Sequence, residues 1–295
     1  MTVAGRSTVS PMPSNYEVLS IERDGHVATL FLDRPEKRNA MNMTFFSELT
    51  AAMAELTADP LVRAVVVAAK GPHFSVGLDL SALGGIGGAG DGGAPGQPGE
   101  GAVPSAAELA RRTHAEVLRL QVPFNAVFEC PKPVIAAPHG YCLGGGVDLI
   151  SACDLRVCSA DTVFSVRETK MAIVADLGSL QRLPLLIGMG HVAELALTGR
   201  DIDAARAERI GLVNDVFADA GATLAGARAI AEEIAANSPI AVQGTKAVLA
   251  QIHRRQIDEG LRYVAAWNAG QLRSNDLSEA VTAFFERRPP EFTGT

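Results

Sequence analysis

Two short runs near the start, EVLSIER and HVATLFLD, alternate apolar with polar residues and meet at Asp24-Gly25, a pair suited to the left-handed conformations of a tight turn. They predict an antiparallel hairpin. From Thr44 to Thr57, Phe45, Leu49, Ala52, Met53 and Leu56 recur at helical spacing, and the following AVVVAA (64–69) is short and rich in valine, as a buried strand is. PVIAAP (133–138) and DLRVCS (154–159) bracket another helical stretch. Strands and helices thus alternate as in an α/β domain with crossover connections. Beyond Asp201 the pattern is almost wholly helical. DAARAERIG closes at Gly211, ATLAGARAIAEEIAANS and PIAVQGTKAVLAQI follow, and two more helices reach Arg287. Tyr263 and Trp267, at helical spacing, read as packing residues.

The 295 residues are 47% hydrophobic and 20% charged, enough to bury a sizeable core and unlike a disordered chain. Lys and Arg total 26 against 33 Asp and Glu, a net charge of −7, so a partner bound through its phosphate backbone, and nucleic acid in particular, is not expected. No apolar run reaches the roughly 18 to 20 residues that span a bilayer. The N-terminal MTVAGRSTVSPMPSN lacks the apolar core of a secretory signal. A cytoplasmic protein is expected, or an organellar-matrix one if this acid-poor, hydroxyl-rich start acts as a transit peptide. Cys130, Cys142, Cys153 and Cys158 show no metal or disulfide spacing and read as buried thiols, and the six histidines form no metal motif. No metal site is expected.

Residues 84–101, GGIGGAGDGGAPGQPGEG, hold ten glycines and read as a mobile surface loop, either functional or an inert insertion. The most informative segment is HGYCLGGGVDL (139–149). Three glycines between a buried strand and an apolar helix leave amides uncovered at a helix N-terminus, where the dipole favours negative charge. Close packing is the other reading. A phosphate cradle is disfavoured here, because this segment holds neither G-K-[ST] nor G-x-G-x-x-G. Upstream, HFSVGLDL (73–80) places Val-Gly-Leu-Asp at the end of a strand, where the amide of Leu78 can face the same point as that of Gly145. His139 reads as a core group and Cys142 as a packed thiol without a partner base.

VGLD, KPVIAAPHGYCLGGGVDL, TGRDIDAARAERIGLVNDV and the final AFFERRPPEF together resemble the crotonase, or enoyl-CoA hydratase/isomerase, superfamily over roughly residues 16–292. The resemblance implies an α/β fold: a ββα spiral core over 16–200, a flexible segment 1–15 before it, and a helical region 201–295 that mediates assembly into a homotrimer or a dimer of trimers. It implies an acyl-CoA thioester substrate, no separate cofactor since coenzyme A is part of that substrate, and an oxyanion hole formed by the backbone N–H groups of Leu78 and Gly145. Such donors stabilise the enolate that forms when a proton leaves the carbon beside a thioester carbonyl.

Hydratases of this superfamily carry two glutamates. Here Asp148 takes the first position, Glu168 the second, and Asp176 stands where hydratases usually have glycine. The trio is similar to the Δ3,5-Δ2,4-dienoyl-CoA isomerase branch of fatty acid β-oxidation. Moving a proton from C2 to C6 of an acyl chain needs acid and base at two separated points, whereas hydration concerns adjacent carbons. Asp176 and Glu168 are the expected proton-transferring pair, with either as base, and Asp148 tunes Glu168. Taken on spacing alone, Asp148 also fits a dipole-compensating residue and Asp176 a helix cap. Enoyl-CoA hydratase is the alternative within the class, and a non-catalytic acyl-CoA binder the alternative outside it. Arg38, Arg287 and Arg288 are candidate partners for the coenzyme A phosphates.

Overall fold

The computed structural model describes residues 15–80 and 104–295. The expected flexible segment up to residue 14 and the glycine-rich loop 84–101 lie outside the described residues. The opening hairpin is β1 (Leu19–Asp24) and β2 (Val27–Leu32), paired Asp24 to Val27, with Gly25 at φ 55° in the turn. Helix α1 (Met43–Ala58) buries Phe45, Phe46, Leu49, Ala52, Met53 and Leu56, and Asn42 caps it by accepting the Phe45 N–H at 2.9 Å. It crosses over to β3 (Ala64–Ala69), which pairs parallel to β2. Helix α2 (Ala106–Glu129) then leads to β4 (Val134–Ala136), and a further crossover to β6 (Leu155–Ser159).

These strands and β9 (Asp215–Phe217) form one sheet in the order β1-β2-β3-β4-β6-β9. β3 is buried on both sides because its two faces feed different cores. Val65, Val67 and Ala69 join the larger cluster with α1 and α2, while Ala64, Val66 and Ala68 meet the alanines of α7 (Ala220–Ala236). Ala227, Ala231 and Ala235, at i, i+4 spacing, let that helix lie close on the sheet. A second sheet, β5 (Tyr141–Leu143), β7 (Val163–Ser165) and β8 (Ile202–Asp203), is built from strands too short to show any periodicity. It frames the helix α3 (Gly145–Ser151).

Past residue 200 the chain is not purely helical. After α4 (Ser179–Ile187), α5 (Met189–Thr198) and α6 (Ala204–Arg209), which stops at Gly211 with φ 82°, strand β9 (Asp215–Phe217) completes the main sheet beside β6. The boundary drawn at 200/201 therefore falls inside the sheet-based core. The helix expected from PIAVQGTKAVLAQI and the one expected after it are a single helix: α8 (Pro239–Gln271) runs 33 residues without a break. Only its C-terminal half is buried, through Ile257, Leu261, Val264, Ala265 and Asn268, where it packs along α2. α9 (Asn275–Glu286) follows. Tyr263 and Trp267 are exposed and not core residues of this chain, at 70% and 50%.

Candidate active site

β5 ends at Leu143, and Gly144, with φ 51° and ψ −117°, turns the chain into α3. Ser75 stitches this turn to the Val76–Leu78 segment. Its N–H donates to the Tyr141 carbonyl at 2.9 Å, its carbonyl accepts from Leu143 at 3.0 Å, and its hydroxyl accepts from the Gly77 N–H at 3.1 Å. The extended run expected up to Leu78 is reduced to two isolated bridges, Ser75 with Cys142 and Met41 with Leu78. Gly77, at φ 88°, interrupts it. A Cβ there would sit 2.9 Å from the Leu143 carbonyl and 3.3 Å from the Gly145 nitrogen, so only glycine allows this approach. Leu78 and Gly145 are thereby brought to one wall of a cavity of about 760 Å³. Among the described residues, neither of their N–H groups is donated to another group. Two preorganised donors are left for a ligand oxygen.

Asp148, Glu168 and Asp176 line the same cavity. Asp148 projects from α3 and is 1% exposed, its Oδ1 accepting the Ser179 N–H at 2.6 Å. Burial pushes its carboxyl up to about 6, against the pull of the Ser179 N–H and the positive charge of Arg182. Glu168 opens a 3-10 turn, Glu168–Met171, after β7. Its Oε2 is buried without a hydrogen-bond partner among the described residues. Burial first, then the neighbouring Asp148 and Asp176 charges, push it up to about 8. Asp176 sits in the irregular segment before α4. Burial raises it to about 7, opposed by a hydrogen bond from Asn268. The three acids thus differ in how well their charged forms are supported, and Glu168 is the least supported.

The walls between these groups are apolar, with Met41, Phe46, Leu143, Met171, Ile173 and Leu177, while Phe284 and Phe285 of α9 line the cavity and remain over half exposed. Arg34, Lys37, Arg38, Arg167 and Lys170 also line it. Arg34 is held by Asp79 and Arg167 by both oxygens of Asp201. Lys37, Arg38 and Lys170 form no ion pair among the described residues. Arg38 and the buried Asn39 are both left-handed, at φ 53° and 54°. Asn39 fixes that bend by donating to the Lys70 and His73 carbonyls and accepting from the Arg34 N–H.

A family model described as enoyl-CoA hydratase/isomerase matches residues 22–92 and 106–295. This chain belongs to the enoyl-CoA hydratase/isomerase family. It is 42% identical over 281 residues to a peroxisomal Δ3,5-Δ2,4-dienoyl-CoA isomerase of Arabidopsis thaliana, covering 94% of this chain and 98% of that one. It is 40% identical over 279 residues to the human mitochondrial Δ3,5-Δ2,4-dienoyl-CoA isomerase, covering 93% and 81%. A crystal structure of an enoyl-CoA hydratase/isomerase from Pseudoalteromonas atlantica superposes with a TM-score of 0.78 at 27% identity, covering 94% of this chain and all of that one.

In this enoyl-CoA hydratase/isomerase family member, the structure brings Leu78, Gly145, Asp148, Glu168, Asp176 and Arg38 to one cavity and leaves Arg287 and Arg288 outside its lining. Arg287 closes α9 in a left-handed conformation, and Arg288 is taken up by Glu279 and Glu286. His139 is buried and bonds the Gly71 carbonyl through Nε2, and Cys142 is a fully buried thiol pushed well above its usual range by burial. The supports of the acids were not found from sequence: Asn268, Gln121, Ser179 and Arg182. Arg182 is 2% exposed, with its guanidinium on Asn125 Oδ1 at 2.6 Å and the Leu177 carbonyl at 3.2 Å. It fits only because residue 178 is glycine, where a Cβ would fall 1.7 Å from Nη1. Lys37 and Lys170 were also missed, being ordinary lysines until the fold sets them at the cavity.

Proposed function

We propose that this enzyme isomerises 3,5-dienoyl-CoA to 2,4-dienoyl-CoA, a reaction of fatty acid β-oxidation. The observation that carries this reading is the third carboxylate: Asp176 lines the cavity together with Asp148 and Glu168, where addition of water needs two. Asp176, supported in its charged form by Asn268, takes a proton from C2. The electron pair moves onto the thioester oxygen and along the conjugated chain, with the oxygen held by the Leu78 and Gly145 N–H groups. Glu168, which holds its proton most firmly, delivers it to C6. One proton has left and one has arrived, the double bonds have moved from 3,5 to 2,4, and proton exchange resets the two acids. Asp148, held by Ser179, keeps a second negative charge beside Glu168 and so favours its protonated form.

The substrate carries its own coenzyme A, and the reaction as written uses no further cofactor. We also propose a homotrimer or a dimer of trimers, supported by the exposed apolar residues Ile240, Val248, Leu249 and Ile252 on the unpacked half of α8. No helix among the described residues is long and apolar enough to cross a membrane. The setting we propose is the cytoplasm or, as the names of the peroxisomal and mitochondrial relatives indicate for those proteins, an organellar matrix.

The test is direct. Purified protein mixed with a 3,5-dienoyl-CoA is expected to generate the absorbance of the conjugated 2,4-dienoyl thioester. Addition of water to a 2-enoyl-CoA with no turnover of the dienoyl substrate would identify a hydratase instead.

A further inference from the structure

We propose that Asn268 is the positioning residue for the base of this reaction: from α8 its side-chain amide grips Oδ2 of Asp176 and leaves the other oxygen to meet the acyl chain. The inference rests on the isomerase reading for the role of Asp176, while the grip itself is a matter of geometry. Both hydrogens of Nδ2 are used, one on Asp176 Oδ2 at 2.7 Å and one on the Val174 carbonyl at 2.9 Å. Asn268 thus holds both the carboxylate and the main chain two residues before it.

A second amide completes the clamp. Gln121, buried on α2, donates to the main-chain carbonyl of Asp176 at 2.8 Å and to that of Leu261 at 3.1 Å. The side chain and the backbone of Asp176 are therefore tied to the same long helix by two different residues. The need is local. Asp176 lies in a stretch without regular structure, between left-handed Ala172 and Gly178 at φ 128°, and would otherwise be free to change its direction. Asn268 is 1% exposed in a helix interior, where an apolar side chain would pack without asking for hydrogen bonds.

The charged groups around Asp176 make the donor matter. Asp148 on α3 opposes a charge on Asp176, and a charge on Asp176 in turn raises Glu168 on the 3-10 turn. The positive charge of Arg182 on α4 acts on Asp148. The Asn268 hydrogen bond is the largest influence opposing burial and favouring the ionised form of Asp176. A base must be ionised to accept a proton, so the grip sets both the direction and the readiness of this one.

Three variants test this. Asn268→Leu deletes both donors, Asn268→Asp keeps the shape while replacing the donor by an acceptor, and Gln121→Met releases only the main chain. With 3,5-dienoyl-CoA, the acidic limb of the kcat/KM profile is expected to move up by about one to two pH units in Asn268→Leu. It moves further in Asn268→Asp and stays in place in Gln121→Met, and kcat falls more than KM rises in both Asn268 variants. Carbon-13 NMR of aspartate-labelled protein, with the Asp176 signal identified by its loss in Asp176→Asn, is expected to show the same upward shift of titration. That readout does not depend on turnover, so a wild type that fails to isomerise overturns the functional reading alone and leaves the role of Asn268 to be decided. Should Asn268→Leu not fold, the isosteric Asn268→Asp decides. An Asp176 resonance and an acidic limb both unmoved in folded Asn268 variants overturn the proposal.

Discussion

One part of the cavity lining is the pair of peptide N–H groups of Leu78 and Gly145, brought together by Gly77 and Gly144 and stitched by Ser75. Another is three carboxylates whose supports come from α2, α4 and α8, up to 92 residues away in the chain. The first part has no charge to desolvate, and its donors are aimed by local backbone conformation. The second carries charges that burial opposes, and each acid behaves according to the donors that reach it: Asp148 has the Ser179 N–H, Asp176 has Asn268, and Glu168 Oε2 has none among the described residues. On the proposed isomerase reading, a site divided in this way separates a fixed electrostatic device from an adjustable proton relay. Damage to the two parts should therefore look different.

The largest loss is expected at the carboxylates. Asp176→Asn and Glu168→Gln should each lower kcat by about 10²- to 10⁴-fold, the usual worth of a positioned acid or base, with KM little changed because on the proposed reading both face the acyl chain and not the coenzyme A moiety. Breaking the peptide pair comes next. Gly77→Ala forces a Cβ to 2.9 Å from the Leu143 carbonyl and demands a φ of 88° from a residue with a side chain. It should spread the two donors and cost about 10²- to 10³-fold in kcat without moving the pH profile, since no titrating group is touched. Steady-state kinetics on the dienoyl substrate across pH separates the two. A shifted profile in Gly77→Ala, or loss of KM alone in the acid variants, would contradict the division.

Glu168 also sets a stability test of moderate size. Its folded-state carboxyl, raised from an ordinary 4.5 to about 8, means that the folded protein keeps a proton which the unfolded chain releases. Between those values the unfolded state binds fewer protons, so the wild type loses stability as pH rises through the window. Glu168→Gln removes the burden of an acid that has no partner for Oε2 among the described residues. It should melt above the wild type at pH 8 and level with it at pH 4. A thermal-melting series in which the two curves run parallel would deny that Glu168 is held protonated at its site.

The same division explains what could be read from the chain. The hairpin at Asp24-Gly25, the buried valines of β3, the capped helix α1 and the triple-glycine turn are local patterns, and each appears where periodicity and turn chemistry place it. The acids were legible because three of them kept a family's spacing. Asn268 and Gln121 were not, since an amide on a helix shows nothing of the carboxylate it meets until α8 is laid along α2. Strands β5, β7, β8 and β9 were missed for a related reason. Runs of two or three residues have no period, and only pairing defines them.

The smallest effect is expected at the cavity mouth, where the comparison extends to long-range charge. A coenzyme A thioester brings several phosphate charges to a protein of net charge −7, so it needs local cations. Lys37 and Arg38 line the cavity, are exposed, and are bound by no carboxylate among the described residues, whereas Arg288 is outside the lining and neutralised by Glu279 and Glu286. Exposed charge contacts are weak and screened by salt. Lys37→Ala combined with Arg38→Ala should therefore raise KM by about three- to tenfold at low ionic strength, leave kcat unchanged, and lose most of its effect at molar salt. Arg288→Ala should leave KM where it is and lower the melting temperature slightly, because its work is to tie the chain end to α9. Should Arg288→Ala raise KM more than the Lys37 and Arg38 pair, the phosphates approach the mouth from the α9 side, and the cations beside Asn39 are only solvated surface.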